Sequence, residues 1–154
     1  MKKLTMIIVL MGMMISPMMQ LQAQEVVDKD DIVAVWIDDG TKDTLEIYKV
    51  NDKFWGKIVG LKEPIDLDTQ NPFLDKYNPD PALRTRPIKG LIFVKDCIFV
   101  SNSAKWEGSK FYNFRDGKTD AYEMKFPLVN NKDILIIING SGGRTTYWTK
   151  KKTN

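Results

Sequence analysis

From Ile32 onward the chain alternates short apolar runs with polar stretches rich in Gly, Asn and Asp. Residues 32–37 are apolar and mostly β-branched, and Asp38-Asp39-Gly40 closes them as a turn. Residues 45–50 form the next run, Asn51-Asp52-Lys53 turns it, and residues 54–61 return. In that return Gly56 and Gly60 share one parity, as where a strand bends around a closed sheet. Beyond a long interruption, residues 91–94 and 97–100 read as two short strands around Lys95-Asp96. Residues 105–113 follow, and Arg115-Asp116-Gly117-Lys118 is a strong hairpin signal. Tyr122, Met124, Phe126 and Leu128 then alternate with Glu123, Lys125 and Pro127, the clearest half-buried strand. Residues 134–138 are wholly apolar, and residues 144–150 close the chain.

No apolar repeat of period 3.6 runs beyond about two turns. About eight strands with hairpin connections predict an all-β fold, a single small antiparallel up-and-down barrel, with a β-sandwich as the alternative. There is no internal repeat and no sign of a second domain.

The interruption, residues 62–89, is long for a compact domain. Its second half holds Pro79, Pro81 and Pro87, each of which fixes φ and removes a backbone donor. This predicts a stiff, ordered crossing anchored by Leu67, Phe73, Tyr77 and Leu83. Arg84 and Arg86 lie two apart before Pro87, so an extended backbone would put both guanidiniums on one side. Such a pair could receive a carboxylate or phosphate. Asp75 and Asp80 compete for it, and pinning of the loop by these acids is the preferred reading.

The chain has 154 residues and opens with Lys2-Lys3, an apolar run and the small-residue site Leu21-Gln22-Ala23. Residues 1–23 therefore read as a signal peptide, and the run is too short to span a membrane. Residues 24–154 form the barrel domain, exported to the periplasm or secreted. Residues 1–23 carry two Lys and no acids, so the formal charge drops from +3 to +1 without them. That balance does not steer the protein toward nucleic acid. Lys on both strand parities and the Lys-rich C-terminus argue against the apolar band of an outer-membrane barrel.

The chain has no His and one Cys. Histidine-based acid–base chemistry and His-containing metal sites are excluded. Cys97, among apolar neighbours, reads as packing rather than a nucleophile. The acidic stretch 66–71 lacks the glycine and terminal Glu of a calcium loop. Neither a metal nor another cofactor is expected. The four Trp (Trp36, Trp55, Trp106, Trp148), with Tyr48, Tyr112, Tyr122 and Tyr147, fit either core packing or an aromatic-lined cavity.

Several blocks together carry a resemblance: Ala34-Val35-Trp36, Trp55-Gly56-Lys57-Ile58, Asn78-Pro79-Asp80-Pro81 with Arg84-Thr85-Arg86-Pro87 and Gly90, Trp106-Glu107-Gly108, Asp116-Gly117-Lys118-Thr119 and Arg144-Thr145-Thr146-Tyr147-Trp148-Thr149. In order and spacing the chain resembles the exported bacterial family known as domain of unknown function 2147. The resemblance implies a lipocalin-like barrel and export, and names no activity. The chain departs from the family's pattern at Ala34, at Gly108-Ser109 and at Asn113-Phe114. Trp36 and Arg144 are similar to a pair in ligand-binding barrels, where a last-strand guanidinium covers a first-strand Trp. That similarity implies a structural latch, with Arg144→Ala destabilising.

The expected function is a non-catalytic binding protein holding a small apolar or amphiphilic envelope molecule. Arg84, Arg86, Asp80, Trp55 and Tyr112 are its candidate contacts. The alternative is a structural or interaction protein of the envelope.

Overall fold

The computed structural model describes residues 26–67, 69–140 and 143–152, with Ser109 described by its backbone alone. The export segment expected at 1–23 lies outside these residues. Eight strands follow the punctuation: β1 Ala34–Asp38, β2 Thr44–Val50, β3 Lys53–Gly60, β4 Ile92–Val100, β5 Lys105–Asn113, β6 Lys118–Lys125, β7 Ile134–Asn139 and β8 Thr145–Lys150. Each pairs antiparallel with its neighbour in sequence, and β1 pairs with β8, so the sheet closes. The fold is the up-and-down barrel, not the sandwich. Closure leaves no strand edge for another chain to extend.

Period-two alternation sets which side chains face in. In β3 Phe54, Gly56 and Ile58 are buried between half-exposed Trp55 and Lys57; in β2 Leu45 and Ile47 are buried, and in β7 Leu135 and Ile137. Two local readings change. Lys95-Asp96 does not separate two strands, because β4 runs through it as a bulge. Asp96 has a φ of 56°, Val94 and Cys97 are buried on either side of exposed Lys95 and Asp96, and the register against β3 shifts there. The alternation of Tyr122, Met124 and Phe126 ends before Leu128, which is exposed beside a local bridge to Asn131.

One end of the barrel is closed by residues that precede β1. A 3-10 turn, Lys29–Ile32, is capped by Asp28, whose side chain accepts from the Asp30 N–H. Ile32 is fully buried. Two indoles from the barrel wall hold this turn. Trp36 Nε1 donates to the Ile32 carbonyl at 3.0 Å, and Trp106 Nε1 donates to the Lys29 carbonyl at 2.9 Å. Around them Phe126 meets Trp106 edge to face at 5.3 Å, and Phe54 does so at 6.5 Å. Lys132–Asp31 and Lys49–Asp30 ion pairs tie the turn to the rim.

The long connection between β3 and β4 folds on itself. Asp75 N–H donates to the Arg86 carbonyl and Ile88 N–H to the Phe73 carbonyl, so its two halves run side by side. Of its four expected anchors, Phe73 packs against the core, while Leu67, Tyr77 and Leu83 are exposed. Gly117, in the β5–β6 turn, has a φ of 72° and lies against the Tyr77 carbonyl, where a Cβ would overlap it.

Two substitutions test this packing. Trp106→Ala empties the closed end and is expected to cost ~3–5 kcal/mol in urea unfolding, and Trp106→Phe distinctly less. Gly117→Ala combines strain with a backbone clash. Its melting temperature should fall by several degrees, whereas Gly143→Ala, with a similar φ of 64° but open space around it, should fall less.

Candidate functional site

The connections β1–β2, β3–β4, β5–β6 and β7–β8 gather at the end opposite the 3-10 turn, as up-and-down pairing requires. Inward residues nearest that end leave space between them. Leu45, Ile58, Phe93, Phe111, Ile137 and Trp148 wall a cavity of about 180 Å³. Its aromatic members pack as a set. Phe93 meets Phe111 at 5.7 Å and Trp148 at 5.8 Å, both edge to face, and Phe111 stacks on Tyr122 at 4.5 Å. Phe93 also fills the place left by Gly56, whose added Cβ would lie 3.0 Å from that ring. The small residue there admits the ring rather than opening cavity space.

The rim is polar. Asp43, nearly buried, pairs with Arg115 at 2.7 Å and accepts from the Lys62 N–H at 3.2 Å. Asp38 Oδ1 accepts from the N–H groups of Gly40 and Thr41, and its Oδ2 accepts from Trp148 Nε1 at 3.1 Å. Arg144 lines the cavity and is exposed. Among the described residues its guanidinium has no hydrogen-bond or ion-pair partner.

Beside the mouth, the long connection is fixed by a buried carboxylate. Asp75 is fully buried. Its Oδ2 accepts from Arg86 Nε at 2.9 Å, Arg86 Nη2 at 2.7 Å and Asn78 Nδ2 at 2.7 Å. Its Oδ1 accepts from the Tyr112 hydroxyl at 2.5 Å. Burial, followed by the hydrogen bond to Asp75 and its charge, pushes the Tyr112 phenol up to about 12.

The expected site residues thus part company. Tyr112 reaches the cavity wall while holding Asp75. Arg86 is taken by Asp75, the pinning role. Arg84 donates through Nε to the Asn78 carbonyl at 2.8 Å. The two guanidiniums do not converge on one anion, because the backbone between them is not extended. Asp80 caps a 3-10 turn, Pro81–Leu83, and leaves Arg84 helical at φ −68°, ψ −15°. Asp80 is therefore a cap, not a ligand contact. Trp55 faces outward opposite Tyr48 and cannot reach the interior. Nor does Arg144 cover Trp36. The β1–β8 register sets Lys150 beside Trp36, and Lys150 Nζ lies 5.3 Å from the indole centroid. Arg144 belongs to the opposite end, six residues or about 20 Å of strand away. Sequence reading named Trp148 among aromatics that either pack the core or line a cavity, and missed Phe93 and Phe111 as cavity residues. Their nearness to turns on one side of the hairpin series was the available signal.

Among the described residues no group of three or more His, Cys, Asp or Glu could hold a metal ion. A wider groove of about 840 Å³ runs outside the barrel between the long connection and β4–β5, rimmed by exposed Lys89, Lys95 and Lys110. The smaller cavity in the barrel mouth is the better-formed site, because its apolar walls are buried core side chains.

Comparison with known proteins agrees with this architecture. A family model described as "Uncharacterized protein conserved in bacteria (DUF2147)" matches residues 35–150. Among solved structures the chain is similar to protein HP1028 from the human pathogen Helicobacter pylori, described as belonging to the lipocalin family. The two share 27% identity and a TM-score of 0.63 over 79% of this chain and 83% of that one. No curated protein matches.

The raised Tyr112 pKa sets a pH dependence. The folded state holds the phenolic proton more tightly than the unfolded chain does, so this contribution is complete below about pH 10 and is lost as pH rises through about 12. Wild-type melting temperature should fall more steeply across that window than that of Tyr112→Phe. At neutral pH the variant should be less stable by ~1–3 kcal/mol, since Asp75 Oδ1 loses its donor.

Proposed function

We propose that the chain, which belongs to the bacterial family of uncharacterized proteins DUF2147, is an exported, non-catalytic binding protein whose barrel holds a small apolar or amphiphilic molecule of the cell envelope. The observation that carries this reading is the uneven filling of the barrel. Its closed half is packed by Trp36, Trp106, Phe54 and Phe126, while its open half keeps an aromatic-walled space under the mouth. Interiors built for stability alone are filled to crystal-like density. Eight-stranded barrels are wide enough to hold one small ligand, as lipocalins do. The lipocalin assignment of the H. pylori protein supports the same use here.

Volume limits the occupant. About 180 Å³ lies below the ~300–1,000 Å³ of drug-sized pockets. It is close to the ~150 Å³ cavity that takes one benzene. The buried part of the ligand is then a single ring or a short chain, with any polar end at the rim. The lack of His and the burial of Cys97 support a role without catalysis. The charged start and apolar run within residues 1–23 support export.

A second reading, docking on another envelope component, is favoured by the exposed apolar side chains of the long connection. Leu67 is 78% exposed and Tyr77 53%.

Toluene tests the cavity. Added in excess, it should raise the melting temperature and shift resonances of Phe111 and Ile137. Thr146→Trp, at an inward position between Arg144 and Trp148, should abolish both effects while the barrel still melts cooperatively. A wild-type protein that responds to no small apolar compound would remove this reading and leave the docking one.

A further inference from the structure

We propose that Arg144 receives the head group of the bound molecule and that this molecule is a small ring carboxylate. The proposal rests on the cavity reading and narrows it. Four ionic side chains stand at the mouth, and three are committed. Arg115 and Asp43 neutralise each other at 2.7 Å, with Asp43 also held by the Lys62 N–H. Asp38 is held by the N–H groups of Gly40 and Thr41 on Oδ1 and by the Trp148 indole on Oδ2. Arg144 alone lines the cavity without a partner among the described residues.

Its backbone is nonetheless placed. The Arg144 carbonyl accepts from the Asn139 N–H at 2.9 Å, and the Gly143 N–H donates to the Asn139 carbonyl at 3.0 Å. The turn thus fixes where the side chain starts and leaves its five N–H donors open to an acceptor. A planar guanidinium matches a carboxylate through two parallel hydrogen bonds, which neither an alcohol nor an amine can return. Arg144, Thr146 and Trp148 follow one inward line at spacing two. The cationic fork therefore stands above an aromatic floor on a single segment.

The floor selects a ring. Phe93, Phe111 and Trp148 offer edges and faces at 5.7 to 6.4 Å from one another, an arrangement a further planar ring can join. About 180 Å³ admits one ring below the rim and leaves its substituent at the level of Arg144. An amine-bearing ring would have to share Asp38 Oδ2 with the Trp148 indole.

Three probes with the same ring separate the possibilities: benzoate, benzyl alcohol and benzylamine, each titrated into the full chain by calorimetry. Benzoate is expected to bind tightest, and its margin over benzyl alcohol should shrink as salt rises, since the rim is exposed. Arg144→Gln should weaken benzoate on the order of tenfold and leave benzyl alcohol unchanged, and Arg144→Lys should restore part of the loss. Because Arg144 is exposed, both variants should melt with the wild type, which separates a head-group role from a structural one. Benzyl alcohol binding as tightly as benzoate would overturn the proposal and keep the cavity. Benzylamine binding tightest would overturn it in favour of Asp38. Failure of all three to bind would remove the cavity reading and the proposal together.

Discussion

Asp75 holds the long irregular connection between β3 and β4 to the barrel. Removing a carboxylate from water costs several kcal/mol unless partners replace the lost hydration. Asp75 is fully buried, and it has them: the Arg86 fork, the Asn78 amide and the Tyr112 hydroxyl. Two of the three come from the connection itself, and the third comes from β5. The same bonds that fold the connection onto itself therefore dock it beside the mouth. Pro79, Pro81 and Pro87 lower the entropy cost of this arrangement by restricting the unfolded chain. Tyr112 also lines the cavity, so the support of the connection and the wall of the site share one side chain.

The fold was legible because a strand with one buried face writes its own parity. Alternation at Phe54, Gly56 and Ile58, and hairpin signals such as Asp116-Gly117, carry over into the barrel nearly unchanged. The exception in β4 is instructive. Lys95-Asp96 looks like a turn in sequence because its residues are polar, and in the structure Asp96 does take a positive φ, yet the pairing with β5 continues at Lys95 and Ile98. A bulge and a tight turn use the same residue types, and only the partner strand tells them apart.

The site was less legible, for two reasons. Asp80, Arg84 and Arg86 carry ligand-like chemistry, but backbone groups and Asp75 consume it locally. Sequence shows that a charge exists, not whether a carbonyl six residues away already holds it. Conversely, Phe93, Phe111 and Trp148 look like any inward-facing aromatic. Parity gives the face of the sheet but not the depth along the barrel axis. Trp36 and Trp148 both point inward, yet one plugs the closed end and the other floors the open one. Arg144 was misassigned for the same reason: both ends of the barrel offer a Trp, and the β1–β8 register decides which cation meets which.

That register also constrains how the molecule can be assembled. Trp36 lies opposite Lys150, so the first strand finds its second neighbour only in the last. Until β8 is in place, β1 and β7 each present an open row of N–H and C=O groups, and the cylinder has a seam. Closing a sheet across nearly the whole chain is entropically slow compared with forming its hairpins. A chain cut short before Thr145 would therefore be a sticky open sheet rather than a smaller barrel, and commitment to the native state waits on the final six-residue strand.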